Sequence, residues 1–223
     1  MGDMESRATS EKAPSQPGAQ QAATSPRSRK PAEERREEIL GAAAEIAIEE
    51  GLERITLRAV AARLGVRPGL ISHYFPAAED LVDEAFARAA TIERERFFPT
   101  EGPPLERLAH FVQHIESGAS WPLARLWLNA RHLSRFTPSL EATLQEQDAL
   151  DRSRLRAIVQ EGIDAGVFAE VDPEWASIRI LIAVDGSGSY VNSTGDLSNP
   201  AQARFVADVV EWTLALSPGT LTP

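Results

Sequence analysis

The chain has 223 residues, 43% of them hydrophobic, and a formal net charge of -10 at pH 7. That is enough for a real hydrophobic core, in one large domain or two small ones. It has no cysteine, which excludes disulfides, thiolate catalysis and cysteine-bound zinc. No run is long and apolar enough to cross a bilayer and no signal-peptide pattern opens the chain, so a cytoplasmic protein is expected. The acidic balance argues against general coating of nucleic acid. It leaves room for a local basic face, because screening confines charge effects to about 10 Å. Lysine occurs only at Lys12 and Lys30; with the abundant arginine and alanine, this composition suggests a GC-rich bacterial genome.

Residues 1–31 are rich in Ser, Ala, Gln and Pro without apolar periodicity, so a disordered tail is expected. Its closing Arg27, Arg29 and Lys30 fit either a solvated tail or an arm that touches DNA. Beyond Pro31 the pattern turns helical. Ile39, Leu40, Ala43, Ile46 and Ala47 recur at helical spacing, and Gly51 is a natural stop. Thr56 reads as an N-cap for a short helix with the stripe Leu57, Val60, Ala61 and Leu64. Gly65 ends that helix. A third helix runs from about Pro68 to Tyr74, with proline in its first turn. A fourth starts near Ala77 and carries Leu81, Val82, Ala85, Phe86 and Ala89.

Later helices are expected near 105–118, 121–136, 139–165, 173–191 and 200–216. Thr137-Pro138, Asp172-Pro173 and Asn199-Pro200 mark the last three starts. No segment alternates like a strand. The expected fold is all-α with about nine helices: a helix-turn-helix domain over 32–80, a second helical domain over 81–217, and a short tail over 218–223. The segment 175–191 is apolar on most sides and should be buried on most sides. With the stripe over 205–216 it suits either core or pairing with a second copy. For pairing, the contact residues are Ile178, Leu181, Ile182, Phe205, Val209, Trp212 and Leu216.

Function concentrates in residues 54–75. Two short helices joined by a tight turn at Gly65 describe a helix-turn-helix. The window holds Arg54, Arg58, Arg63, Arg67 and His73 and no acid, whereas its flanks are dense in glutamate. A surface that approaches phosphate is weakened by any carboxylate, since like charges repel at close range. The bland alternative is a helical hairpin with an accidental charge gap.

These residues carry a resemblance. Ile39-Leu40, Ala43-Ala44, Thr56-Leu57, Val60-Ala61, Leu64-Gly65-Val66, Gly69 to Pro76 and Glu79-Asp80-Leu81 resemble the N-terminal domain of TetR-family transcriptional regulators. The form Gly69-Leu70-Ile71-Ser72-His73-Tyr74-Phe75 is also similar to the choline-responsive BetI branch, as, more weakly, are Trp127-Leu128 and Val184-Asp185-Gly186. The resemblance implies a recognition helix in the major groove of double-stranded DNA. Its expected contacts are Thr56, Arg58, Arg67, Pro68, Gly69, Leu70, Ser72, His73 and Tyr74. Two departures matter: Ala78 stands where many members have a phosphate-gripping lysine, and Ser72 where many have tyrosine.

The resemblance also implies a C-terminal domain that dimerises and holds a small-molecule effector. Candidates for lining its cavity are Phe111, His114, Trp121, Trp127 and Arg131, with Asn129, His132, Phe136, Asp185 and Tyr190. Polar groups among apolar helices are costly unless partnered, so a satisfied core network is the competing reading. Aromatics are 6% of the chain, and Ser187-Gly188 stand near the BetI branch's Trp after Asp-Gly, so choline is not the expected ligand. His110 and His114 share a helix face; an exposed pair is expected rather than a metal site. No cofactor, metal, catalytic triad or phosphate loop is indicated. The expected function is a homodimeric repressor released from a palindromic operator by a ligand. An all-helical interaction protein without DNA binding is the alternative, and a helical enzyme is the remotest.

Overall fold

The five apolar residues spaced along 39–47 all fall inside α1 (Ala32–Glu50) and are buried there. The computed structural model describes residues 31–194 and 199–221. The expected tail over residues 1–31 lies outside them, apart from Pro31. Gly51, at φ 105°, ends α1 and leads into a 3-10 turn at Leu52–Arg54.

Then comes α2 (Leu57–Leu64), capped as expected: the Thr56 hydroxyl accepts from the Ala59 N–H at 3.0 Å. Gly65 closes α2 in the left-handed region, φ 64° and ψ 34°. The Val66 N–H reaches back to the Ala61 carbonyl at 2.9 Å and the Gly65 N–H to Ala62 at 3.2 Å. A residue with a Cβ pays strain in that conformation, so glycine suits it. α3 (Pro68–Tyr74) follows with proline in its first turn.

The rest of the described chain is α4 (Ala78–Phe97), α5 (Pro104–Glu116), α6 (Trp121–Ser134), α7 (Pro138–Asp164), α8 (Pro173–Thr194), α9 (Pro200–Ala203) and α10 (Phe205–Thr213). The protein is all-α, and no strand occurs among the described residues. Of the three later caps, Asp172 accepts from the N–H groups of Glu174 and Trp175, and Asn199 from that of Ala201. Thr137 makes no side-chain cap bond.

One expected helix, 200–216, is two. The chain breaks at Arg204 (φ -115°, ψ 11°), and α10 starts afresh at Phe205. The new N-terminus is supplied from elsewhere in the fold: the Glu116 carboxylate, at the end of α5, accepts the Ala207 N–H at 2.8 Å. A carboxylate there satisfies an orphan donor and meets the positive end of the helix. Residues 222 and 223 of the expected tail lie outside the described residues, and two of its earlier members are tied back to α10. Glu211 is buried, and its carboxylate accepts from the N–H groups of Gly219 and Leu221, both at 2.9 Å. Leu221 is buried in turn.

Two apolar clusters form the core. The first joins α1, α2 and α3 to the front of α4, to α6 and to the start of α7. The second joins α5, the back of α7, α8 and α10. The helix-turn-helix thus shares an apolar cluster with α4 and α6. Where α7 passes between the clusters, its apolar stripe is interrupted. Leu140, Leu144, Leu155 and Val159 are buried, but the positions between them at the same spacing are Asp148 and Asp151.

Candidate nucleic-acid interface and interior cavity

Packing of α2 on α3 decides which side chains face outward. Val60, Ala61, Ile71 and Phe75 are buried between these helices and α1. Arg58, Arg67, Pro68, Gly69, Ser72 and His73 are exposed, and Leu70 and Tyr74 are half-buried. The Tyr74 ring meets the His73 ring edge-on at 5.2 Å. The Ser72 hydroxyl donates to the Gly69 carbonyl at 3.2 Å.

The acid-free window does not act as one surface. Arg63 turns back onto α1, 2.9 Å from Glu49, 3.1 Å from Glu50 and 3.7 Å from Glu45. The hydrogen bond to Glu49 holds its guanidinium above the usual range, against the opposing effect of desolvation. Arg54 stands 3.9 Å from Glu50. Arg58 and Arg67 have no carboxylate within ion-pairing distance among the described residues. The unneutralised positive charge therefore gathers at the start of α2 and at the entry to α3.

The second feature is a cavity, partly open to solvent, between α4, α5, α6, α7, α8 and α9. Five of the ten expected lining residues are in its wall: Phe111, Trp121, Trp127, Arg131 and Asp185. His114, Asn129, His132, Phe136 and Tyr190 are not. His114 is half-buried behind the wall, 3.8 Å from Glu93 and edge-on to Phe97 at 4.8 Å; burial lowers its pKa, against the raising effect of Glu93. His132 and Phe136 lie together on the outside, rings 5.9 Å apart. Tyr190 lines a separate groove with Gly186, Ala201 and Phe205. His110 bonds through Nε2 to the Arg96 carbonyl at 2.9 Å, and no group of three potential metal ligands occurs among the described residues.

Asn129 also serves elsewhere. Its carbonyl oxygen accepts the Leu52 N–H at 2.8 Å and its amide donates to Glu53 at 2.9 Å. It thus clamps α6 to the turn that precedes α2.

Asp148, Asp151, Phe97 and Phe98 were missed as lining residues. The two aspartates interrupt the apolar stripe of α7, so its spacing does not mark them as inward-facing. Arg131 makes a two-point contact with Asp148 (3.2 and 3.3 Å), a 2.7 Å bond to Asp185, and lies 5.4 Å above the Trp127 ring. Arg94 donates to Asp151 and, at 2.7 Å, to Gln147. Burial pushes the Asp151 carboxyl up to about 6, against the pull of Arg94. Burial also raises Asp185, against Arg131, and Glu116, against the Ala207 N–H.

Comparison with known proteins gives this pair of features a family. Residues 39–85 match the description "Bacterial regulatory proteins, tetR family". Residues 101–211 match "Tetracyclin repressor-like, C-terminal domain".

The chain belongs to the TetR family of transcriptional regulators.

It is therefore a regulator with a DNA-binding helix-turn-helix and not an enzyme. No curated protein matches it in sequence. Solved structures share the TetR fold. A Saccharomonospora viridis protein in complex with choline is 20% identical, with 81% of this chain and 95% of that one covered and a TM-score of 0.65. A TetR transcription regulator from Haloarcula marismortui is 19% identical, with 82% and 97% covered and a TM-score of 0.66. FadR from Bacillus subtilis, in complex with stearoyl-CoA, is 22% identical, with 80% and 97% covered and a TM-score of 0.62.

Proposed function

We propose that this TetR-family chain is a homodimeric repressor that leaves a palindromic operator when a small molecule fills the cavity. The observation that carries the reading is the position of α6. One side of α6 lines the cavity through Trp127, Leu128 and Arg131; another holds the turn before α2 through Asn129. A ligand that favours one position of α6 thereby biases the helix-turn-helix, by as much as its affinity differs between the two states.

On this reading α3 enters the major groove. Arg67, Gly69, Leu70, Ser72 and His73 meet base edges, and Thr56, Arg58, Pro68 and Tyr74 meet the backbone. Pairing of two copies is supported by an apolar face on α8 and α10. Trp212 is 75% exposed, Ile182 64% and Trp175 47%, with Ile178 and Phe205 beside them. Arg179 stacks on Trp175 at 3.6 Å and lies 5.6 Å from Trp212. Val209 and Leu216 are half-buried at its edge, while Leu181 turns into the cavity wall. An exposed face of this kind is a mark of an interaction site. The Gly69–Phe75 segment supports a position near the BetI branch, although Ser187 and Gly188 in the cavity wall depart from it.

No helix among the described residues is long and apolar enough to cross a membrane, and a cytoplasmic site of action fits a DNA-binding regulator. The test is selection of bound fragments from genomic duplex DNA by the purified protein. An enriched palindrome with half-sites about one turn, roughly 34–36 Å, apart is expected. No enrichment from a folded dimer would overturn the operator reading and favour the protein-interaction alternative.

A further inference from the structure

Charge inside the cavity wall is lopsided. Asp148, Asp151 and Asp185 line it against the one guanidinium of Arg131; a fourth carboxylate in the wall, Glu116, is held by the Ala207 N–H with the charge of Arg204 nearby. Arg131 is already divided between Asp148 and Asp185, and Arg94 answers Asp151 from behind the wall. Two cations thus serve three aspartates. Asp148 and Asp151 also occupy the inward stripe of α7, where leucine would pack the two apolar clusters together and where desolvating a carboxylate is costly. Apolar packing is given up at these positions, and the acids are held instead by Arg131 and Arg94. The remaining wall points the same way. Phe97, Phe98, Phe111, Trp121 and Trp127 line it, so an aromatic-poor chain concentrates its rings here, and ring faces attract positive charge.

We infer that the cavity takes an organic cation, its charged head beside Asp148 and Asp185 and its apolar body against the aromatic wall. The inference rests on the reading of the cavity as the effector site and adds the chemical class of the effector. A carboxylate ligand would have to take Arg131 from two aspartates and then sit among the freed charges. A cation meets the unbalanced acids without breaking the Arg131 contacts.

The test is calorimetric titration of the full chain with 4-phenylbutylammonium and with 4-phenylbutanoate, which share one body and differ in the sign of the head. The cation should bind tighter by about tenfold or more. Asp185→Asn should weaken the cation. Arg131→Gln, which frees two carboxylates, should strengthen it. A merely structural lesion would weaken the cation in both variants, so the opposite signs report on charge. The inference is overturned if the anion binds as tightly as the cation, if neither probe binds, or if Arg131→Gln weakens the cation. Operator binding, followed separately by anisotropy, tells the two readings apart. A cation that binds and leaves the operator occupied breaks the ligand-released repressor and not the ligand class. An operator released by the anion does the reverse.

Discussion

Arg63 and Arg67 lie four residues apart in the same acid-free window, yet the fold gives them opposite surroundings. Arg63 is held by three glutamates of α1, and Arg67 has no carboxylate within ion-pairing distance among the described residues. Arg67→Ala should weaken operator binding roughly tenfold or more, whereas Arg63→Ala should change it little; an anisotropy titration of both variants checks this. Equal losses would mean that the window acts as a uniform basic patch. Asp151 yields a second expectation. Its carboxyl, raised to about 6, binds a proton more readily in the folded chain than in the unfolded one, where aspartate titrates near 3.9. Its contribution to stability is therefore fully present below about pH 4 and is lost as the pH rises through about 6. Asp151→Asn should flatten that part of the Tm-against-pH curve, and an unchanged slope would assign it to other carboxylates. Neither residue's surroundings could be read from its neighbours in sequence, because each is set by a helix at least 13 positions away.

At the scale of elements, α6 joins the two halves of the molecule. Asn129 satisfies the N–H of the buried Leu52. Asn129→Ala leaves that donor unpaired and should cost about 1–3 kcal/mol, measured by denaturant unfolding. A cost near zero would mean that the turn relaxes to another partner, and α6 would then lose its grip on the helix-turn-helix. The short helices were legible because local signals coincide there: the Thr56 cap, Gly65 in the left-handed region, and proline at the start of α3. The break between α9 and α10 was not legible, since it is supported by Glu116, which lies 91 residues before Ala207. Nor was the mixed character of α7. A stripe with two aspartates in it reads as a solvated face until the neighbouring helices are known.

For the whole molecule, the apolar composition of α8 and α10 was evident and its direction was not. Both helices divide their apolar residues between interior and exterior. Ala176, Ile180, Ala183, Val206 and Val210 enter the core, while Trp175, Ile178, Ile182, Phe205 and Trp212 remain outside. If that outer face pairs two copies, Trp212→Glu should shift the protein from dimer to monomer in sedimentation and lower operator affinity with it, because one half-site holds less than two. A monomeric wild type would remove the premise. Salt offers an independent check on the same scale. Operator affinity should fall linearly on a log–log plot with a slope of about -0.9 per phosphate neutralised, despite the chain's net charge of -10.

The sequence by itself determined the helical class, the helix starts other than that of α10, and the helix-turn-helix, since those depend on caps, turn residues and 3.6-residue periodicity within a few positions of one another. It also singled out five residues of the cavity wall. Tertiary structure alone decided which arginines of the window stay free, which side of α8 faces inward, and where the cavity lies. It also gathered aromatics from α4, α5 and α6 onto aspartates of α7 and α8. The reason is physical. Burial and charge compensation depend on which helices pack against which, and such contacts join residues tens of positions apart whose local pattern is that of any amphipathic helix.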